Sequence, residues 1–316
     1  LEIDLTPQDD PEQDTPERHD VARRSTLVSV AVNLVLTTVQ VLVGVLAHSQ
    51  ALIADGIHSL SDLVSDFVVL LANRHSRKEA DDDHQYGHHR YETAASLVLG
   101  GLLLSVGVGM LWSAVHKLQD PDAIPAVQPV ALYVALAALA AKEGLFRYML
   151  AAAERVRSSM LVANAWHARS DAASSLVVAL GIVGNLLGYP LLDPVAALIV
   201  GLMVTKMGWE FGWDALNDLM DRSASEEQIV RIHEILSRTP GVHGVHDLRT
   251  RKMGDMIMVD AHLEVDGNLT VREGHDIATL ARDRVMAKMP VLDVMAHLDP
   301  VMVSASSGKP ARKRRR

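Results

Sequence analysis

Two stretches of this chain pair a histidine with an aspartate four residues further on: His58 with Asp62 in ADGIHSLSDLVSD, and His167 with Asp171 in NAWHARSD. A spacing of four sets two side chains one above the other on one helix face. Two such helices facing each other would present two imidazoles and two carboxylates, a donor set suited to a tetrahedral divalent metal such as zinc. One copy alone also fits a hydrogen bond between packed helices. Two copies on separate apolar segments, where ionisable groups are costly and usually functional, favour the metal. The chain has no cysteine, so any metal must be held by imidazole nitrogen and carboxylate oxygen. Asp55 and Asp66 extend the polar stripe of His58 and read as groups near the two membrane surfaces, with the entrance and exit of a cavity as the alternative, while Asn33 and Gln40 read as supporting or packing groups.

Other clusters are less self-evident. The loop EADDDHQYGHHR places Asp81, His84 and His88 within eight residues, a second candidate metal set whose alternative is a hydrated loop. Further on, His246, His262, His275, His297 and Asp299 are too far apart in sequence to define a site by themselves, and surface histidines are ordinary.

The elements that must position these residues are long helices. Six apolar segments reach the ~20 residues a helical span needs, over about 25–47, 51–73, 92–117, 127–150, 160–187 and 191–216. Leu, Val and Ala fill them, with only three Phe and four Trp in the whole chain. Gly100, Gly101, Gly107 and Gly109, then Gly181 and Gly184, are small residues that permit close helix approach. Arg and Lys concentrate before the first segment, between the second and third, and between the fourth and fifth, which places both termini on the cytoplasmic side. From Arg222 the pattern changes. Ser225 caps a helix stopped by Pro240-Gly241, strands at 244–253 and 256–265 join at Gly254-Asp255, and a helix over 271–289 leads to a strand at 292–297. The expected architecture is a six-helix transmembrane bundle plus a cytoplasmic α+β domain, α-β-β-α-β and ferredoxin- or metallochaperone-like. The expected boundaries are a disordered acidic tail over 1–22, the six-span domain over 23–217, the α+β domain over 218–300 and a basic disordered tail over 301–316. The run KPARKRRR reads as touching anionic lipid headgroups, with no nucleic acid as partner.

Together these residues resemble the cation diffusion facilitator family, whose members export divalent metals in exchange for protons. The likeness runs from Arg24 to Pro300, and the loop ADDDHQYGHHRYE, with GVHDLRTR and HLDP, is similar to the signature of the bacterial iron/zinc-efflux subgroup. The resemblance implies a transport site of His58, Asp62, His167 and Asp171, a loop site of Asp81, His84 and His88, and a cytoplasmic binuclear site of His246, His262, His275, His297 and Asp299. It also implies a dimer-stabilising ion pair, Arg90 with Asp221, and a homodimer in the bacterial inner membrane. Zinc, or iron(II), cobalt, nickel or cadmium, would be substrate and regulator, with protons as counter-ion. His58 stands where the iron/zinc exporters usually carry Asp, and imidazole in place of carboxylate favours borderline metals such as zinc. Exchange would follow from one site meeting two pH values, because metal needs neutral imidazole, which titrates at about pH 6.5, and ionised carboxylate. Such exchange needs no ATP, and there is no Walker-type loop; four candidate ligands and no His-Glu-x-x-His motif disfavour an intramembrane metalloenzyme. A membrane-anchored metal sensor or scaffold that moves nothing is the competing expectation.

Overall fold

Lipid offers no partner to backbone N–H and C=O groups, so long apolar stretches satisfy them internally as helices. A computed structural model describes residues 16–76, 78–120, 124–155 and 159–302, with the side chains of some helical positions, His167 and Asp66 among them, outside the described set. Six long helices come first: α1 (Pro16–Leu46), α2 (Gln50–Ser76), α3 (Arg90–Gln119), α4 (Pro129–Arg155), α5 (Ser159–Leu186) and α6 (Leu192–Leu219). A smaller α+β unit follows, as α7 (Glu226–Ser237), β1 (Gly244–Met253), β2 (Met256–Asp266), α8 (Val271–Met286) and β3 (Val291–Val301). The expected tails at 1–15 and 303–316 lie outside the described residues. α1 nevertheless begins at Pro16, inside the stretch assigned to the acidic tail.

By length and composition α1 from Arg24, α3, α4 and α6 can cross a membrane. Among the described residues α2 and α5 do not meet that test, and these are the helices that carry the paired motifs; their polar stripes lower their hydropathy. The chain forms two compact units, Leu1–Leu70 with Val98–Gly212, and Leu71–Leu97 with Trp213–Arg316.

In the first unit, Leu52, Leu99, Leu103, Val178, Ile182, Val200 and Val204 form the centre of the core. α3 and α6 meet backbone to backbone. A Cβ on Gly100 would collide with Gly212, and one on Gly208 would lie 2.5 Å from the nitrogen of Leu104. Gly107, Gly181 and Gly184 are similarly crowded, whereas Gly101 and Gly109 face open space, so the small-residue signal marks a helix contact at four of the six expected positions. The start of α2 is held by a residue of α6. Asp193 accepts from Ser49 Oγ (2.6 Å), Gln50 N (2.7 Å) and Ala51 N (3.4 Å), while Ser49 Oγ accepts from Leu52 N (3.1 Å). With Ile53 N bonded to the Ser49 carbonyl (3.3 Å), every free N–H of the first turn of α2 has a partner.

The second unit is a three-stranded sheet of order β1-β2-β3, with β1/β2 antiparallel and β2/β3 parallel. Gly254, at φ +66°, makes the tight β1–β2 turn. Capping boxes Ser225/Gln228 and Thr270/Glu273 start α7 and α8. Ile257, Val259, Ala261 and Leu263 on alternate positions of β2 pack against Ile232 and Leu236 of α7 and Ala281 and Val285 of α8. One face of the sheet is therefore covered by helices, and the residues between, including His262, belong to the other face.

Candidate metal sites

The first cluster lies within the bundle. One ligand atom each from His58, Asp62 and Asp171 falls within 4.8 Å of the others, with His58 buried and both aspartates half-buried. His58 Nδ1 is 3.6 Å from Asp62 Oδ2, the contact that the four-residue spacing on α2 requires. Asp171 comes from α5, so two helices contribute. His167 is on α5 four residues earlier, and its side chain lies outside the described residues. Three convergent oxygen and nitrogen donors of this kind match what a dehydrated divalent cation needs. Asp55 departs from the expectation of a group near the membrane surface: it is fully buried and ion-paired with Lys142 of α4 at 3.2 Å. Lys142 was legible as a cation inside the fourth apolar segment, since such a group must find a partner or neutralise.

The second cluster is the loop after α2. Asp81 Oδ1 is 3.2 Å from His84 Nδ1, and Asp81 Oδ2 is 3.3 Å from His88 Nε2. The ring centroids of His84 and His88 are 4.4 Å apart. His88 Nδ1 lies 3.2 Å from the carbonyl of Glu79, a contact that orients the ring with Nε2 toward Asp81. The backbone N–H of His84 holds the Asp81 carboxyl below its ordinary range, with the nearby imidazoles adding to the effect, so Asp81 stays ionised and ready to ligate.

The third cluster is made by strand register. His246 of β1, His262 of β2 and His297 of β3 are direct cross-strand partners, forming one row across the uncovered face of the sheet. Ring centroids are 5.2 Å apart for His246–His262 and 4.7 Å for His262–His297. Asp299 reaches back to the row, with Oδ2 at 2.9 Å from His262 Nδ1 and 3.1 Å from His246 Nε2, and Oδ1 at 3.5 Å from His297 Nε2. The hydrogen bond from His262 holds the Asp299 carboxyl below the usual range, aided by the charges of His262, His297 and His246. His275 is not brought to this row. It is exposed on α8, and α8 packs against the opposite face of the sheet, where Gly274 lies against Leu298. Glu264, 4.0 Å from His246 Nε2 and opposite Asp299 in register, joins the cluster instead; its alternation with His262 along β2 was the signal for it.

Arg90 Nη2 meets Asp221 Oδ1 at 2.5 Å, and Nη1 meets the carbonyl of Leu219 at 3.3 Å. The pair closes within one chain, tying the first residue of α3 to the residue that ends α6 at φ +60°. Both side chains are substantially exposed, so the pair contributes only about 0–1 kcal/mol.

Comparison with known proteins agrees with this architecture. The profile of the cation efflux transmembrane domain matches residues 26–220, and that of the cation efflux protein cytoplasmic domain matches residues 224–301. Metal tolerance protein C1 of Arabidopsis thaliana is 35% identical over 286 residues, covering 86% of this chain but only 61% of that longer protein. The magnetosome protein MamB of a Magnetospira strain is 33% identical, covering 87% of this chain and 94% of its own. The manganese efflux system protein MneS of Bacillus subtilis is 31% identical, covering 90% and 99%. With both domains matched in order over nearly the whole described length, this chain belongs to the cation diffusion facilitator family of multi-pass membrane transporters, which are carriers and not enzymes.

Proposed function

We propose that this chain exports a divalent transition-metal cation from the cytoplasm in exchange for protons, as a homodimer in a bacterial inner membrane. The observation that carries the reading is the convergence of His58, Asp62 and Asp171 within the helix bundle. His167, one turn before Asp171, completes a four-ligand set by spacing. Metal and protons compete for the same lone pairs there, since the ion needs neutral imidazole and ionised carboxylate. Alternate exposure of one such site to an acidic outside and a near-neutral cytoplasm drives the ion outward. Zinc is the first choice of substrate, because two imidazoles and two carboxylates in a tetrahedral set suit a borderline metal. Manganese is the second, on the name of the Bacillus subtilis relative. The loop cluster and the histidine row serve as further metal sites on the cytoplasmic side, the row sensing cytoplasmic metal and Arg90 with Asp221 steadying the dimer. The two chemistries, transport and sensing without transport, separate in proteoliposomes with an imposed pH gradient. Zinc, manganese, iron(II), cobalt, nickel and cadmium are supplied in turn to wild type and to the Asp62→Ala, Asp171→Ala and His58→Asp proteins. Flux abolished by both alanine variants and shifted toward iron or cadmium by His58→Asp supports the exporter. Binding without flux in wild type supports the sensor or scaffold.

A further inference from the structure

Asp55 and Lys142 are buried ionisable groups that no ligand set uses. They meet one helical turn from His58, with the Asp55 side chain 1% exposed and that of Lys142 3%. Asp55 Oδ1 faces Lys142 Nζ at 3.2 Å and Ser174 Oγ at 3.1 Å, and Oδ2 accepts from Ser175 Oγ at 2.7 Å and from Gln40 Nε2. One carboxylate thus joins α1, α2, α4 and α5. The network touches the transport cluster through the backbone: Lys142 Nζ is 3.5 Å and Ser174 Oγ 2.7 Å from the carbonyl of Asp171.

Two features argue against a fifth ligand. The ammonium of Lys142 has no lone pair to offer, and the Asp55 oxygens are occupied by four donors. Exposure along α2 also has a direction. The side chain of Asp55 is 1% exposed, that of His58 6% and that of Asp62 16%. Exposure thus falls from Asp62 to Asp55, and the cluster is more open on the Asp62 side than on the side where the network lies. A buried ion pair held by several hydrogen bonds has two discrete states, intact or separated, because a partly broken one strands a charge away from water.

We propose that the Asp55–Lys142 network is the closure of the transport path on the Gln50 side of α2, with Lys142 the positioning residue that keeps α2, α4 and α5 together while the ligands face the other way. The proposal rests on the exporter reading. An ion leaving past Asp55 has to part this network, and restoring the pair prevents its return.

The full-length protein in proteoliposomes tests it, with zinc flux and lumenal pH followed together and zinc affinity in detergent as the check that the ligands remain assembled. Lys142→Met is expected to bind zinc within about threefold of wild type. It should also let zinc run down its own gradient without a pH gradient, with the proton-to-zinc ratio falling several-fold. Lys142→Arg should restore the ratio. If Lys142→Met does not fold, Asp55→Asn, which keeps size and removes the charge, carries the same expectation. A variant that binds zinc and keeps the wild-type ratio, however slow, overturns the closure and leaves the exporter standing. Wild type that binds zinc but moves no metal of the panel overturns the exporter and the closure with it.

Discussion

Asp193→Ala tests how the ligand-bearing helix is anchored. The Asp193 side chain, itself buried, takes the N–H groups of Gln50 and Ala51 and the hydroxyl of Ser49, with no other acceptor for the two N–H groups among the described residues. A hydrogen bond to a charged group contributes about 1.5–3 kcal/mol, and a stranded buried donor costs about 1–3 kcal/mol. The 2.7 Å bond to Gln50 N counts in full and the 3.4 Å bond to Ala51 N counts for little. Relief of the buried carboxylate's desolvation works against the loss. The expected net destabilisation is about 3 kcal/mol for Asp193→Ala and about 1 kcal/mol for Asp193→Asn, which keeps one acceptor. Denaturation of the detergent-solubilised protein with increasing SDS measures both, beside metal flux at low temperature. His58 is two turns further along α2, so flux should survive where the fold does. An alanine variant within about 0.5 kcal/mol of wild type would show that α2 does not depend on this carboxylate.

Gly208→Val should cost about 1–3 kcal/mol by forcing α6 away from the backbone of Leu104, whereas Gly101→Val, into open space, should be close to neutral; equal costs in the same SDS titration would refute the close α3–α6 contact. In zinc titrations of the full-length protein, His262→Ala should remove one class of sites and His275→Ala should leave the binding curve unchanged. Equal losses would mean that α8 contributes a ligand after all. Asp299, with its folded carboxyl below the ordinary range, adds stability that is present above the usual carboxylate values and lost as pH falls through its lowered value. Asp299→Asn should therefore flatten the acid side of the stability profile, read by urea titrations at stepped pH with circular dichroism; an unaltered slope would contradict the hydrogen bond from His262.

The signals that were legible are local ones. Four-residue spacing on an apolar segment was enough to bring His58 to Asp62, and Gly254-Asp255 between two alternating runs was enough for the β1–β2 hairpin. Features that depend on which elements face each other were not. Lys142 is invisible as a partner until α4 is known to pack beside α2, and Asp193 caps a helix that begins 143 residues before it in the chain. β3 runs on through Pro300 to Val301, past the point where a proline would argue against a central strand, because it is an edge strand. Asp247, at φ +47° beside the register shift between His246 and Arg249, adds a bulge that no spacing rule announces.

Because His246, His262 and His297 come from three separate strands, any cation they share ties an antiparallel and a parallel pairing together at a single point. A slip of one residue in either ladder would turn one imidazole toward the helices and dismantle the site. A cation taken up by the row as proposed would thus check the alignment of the sheet, which without it rests on the apolar layer alone.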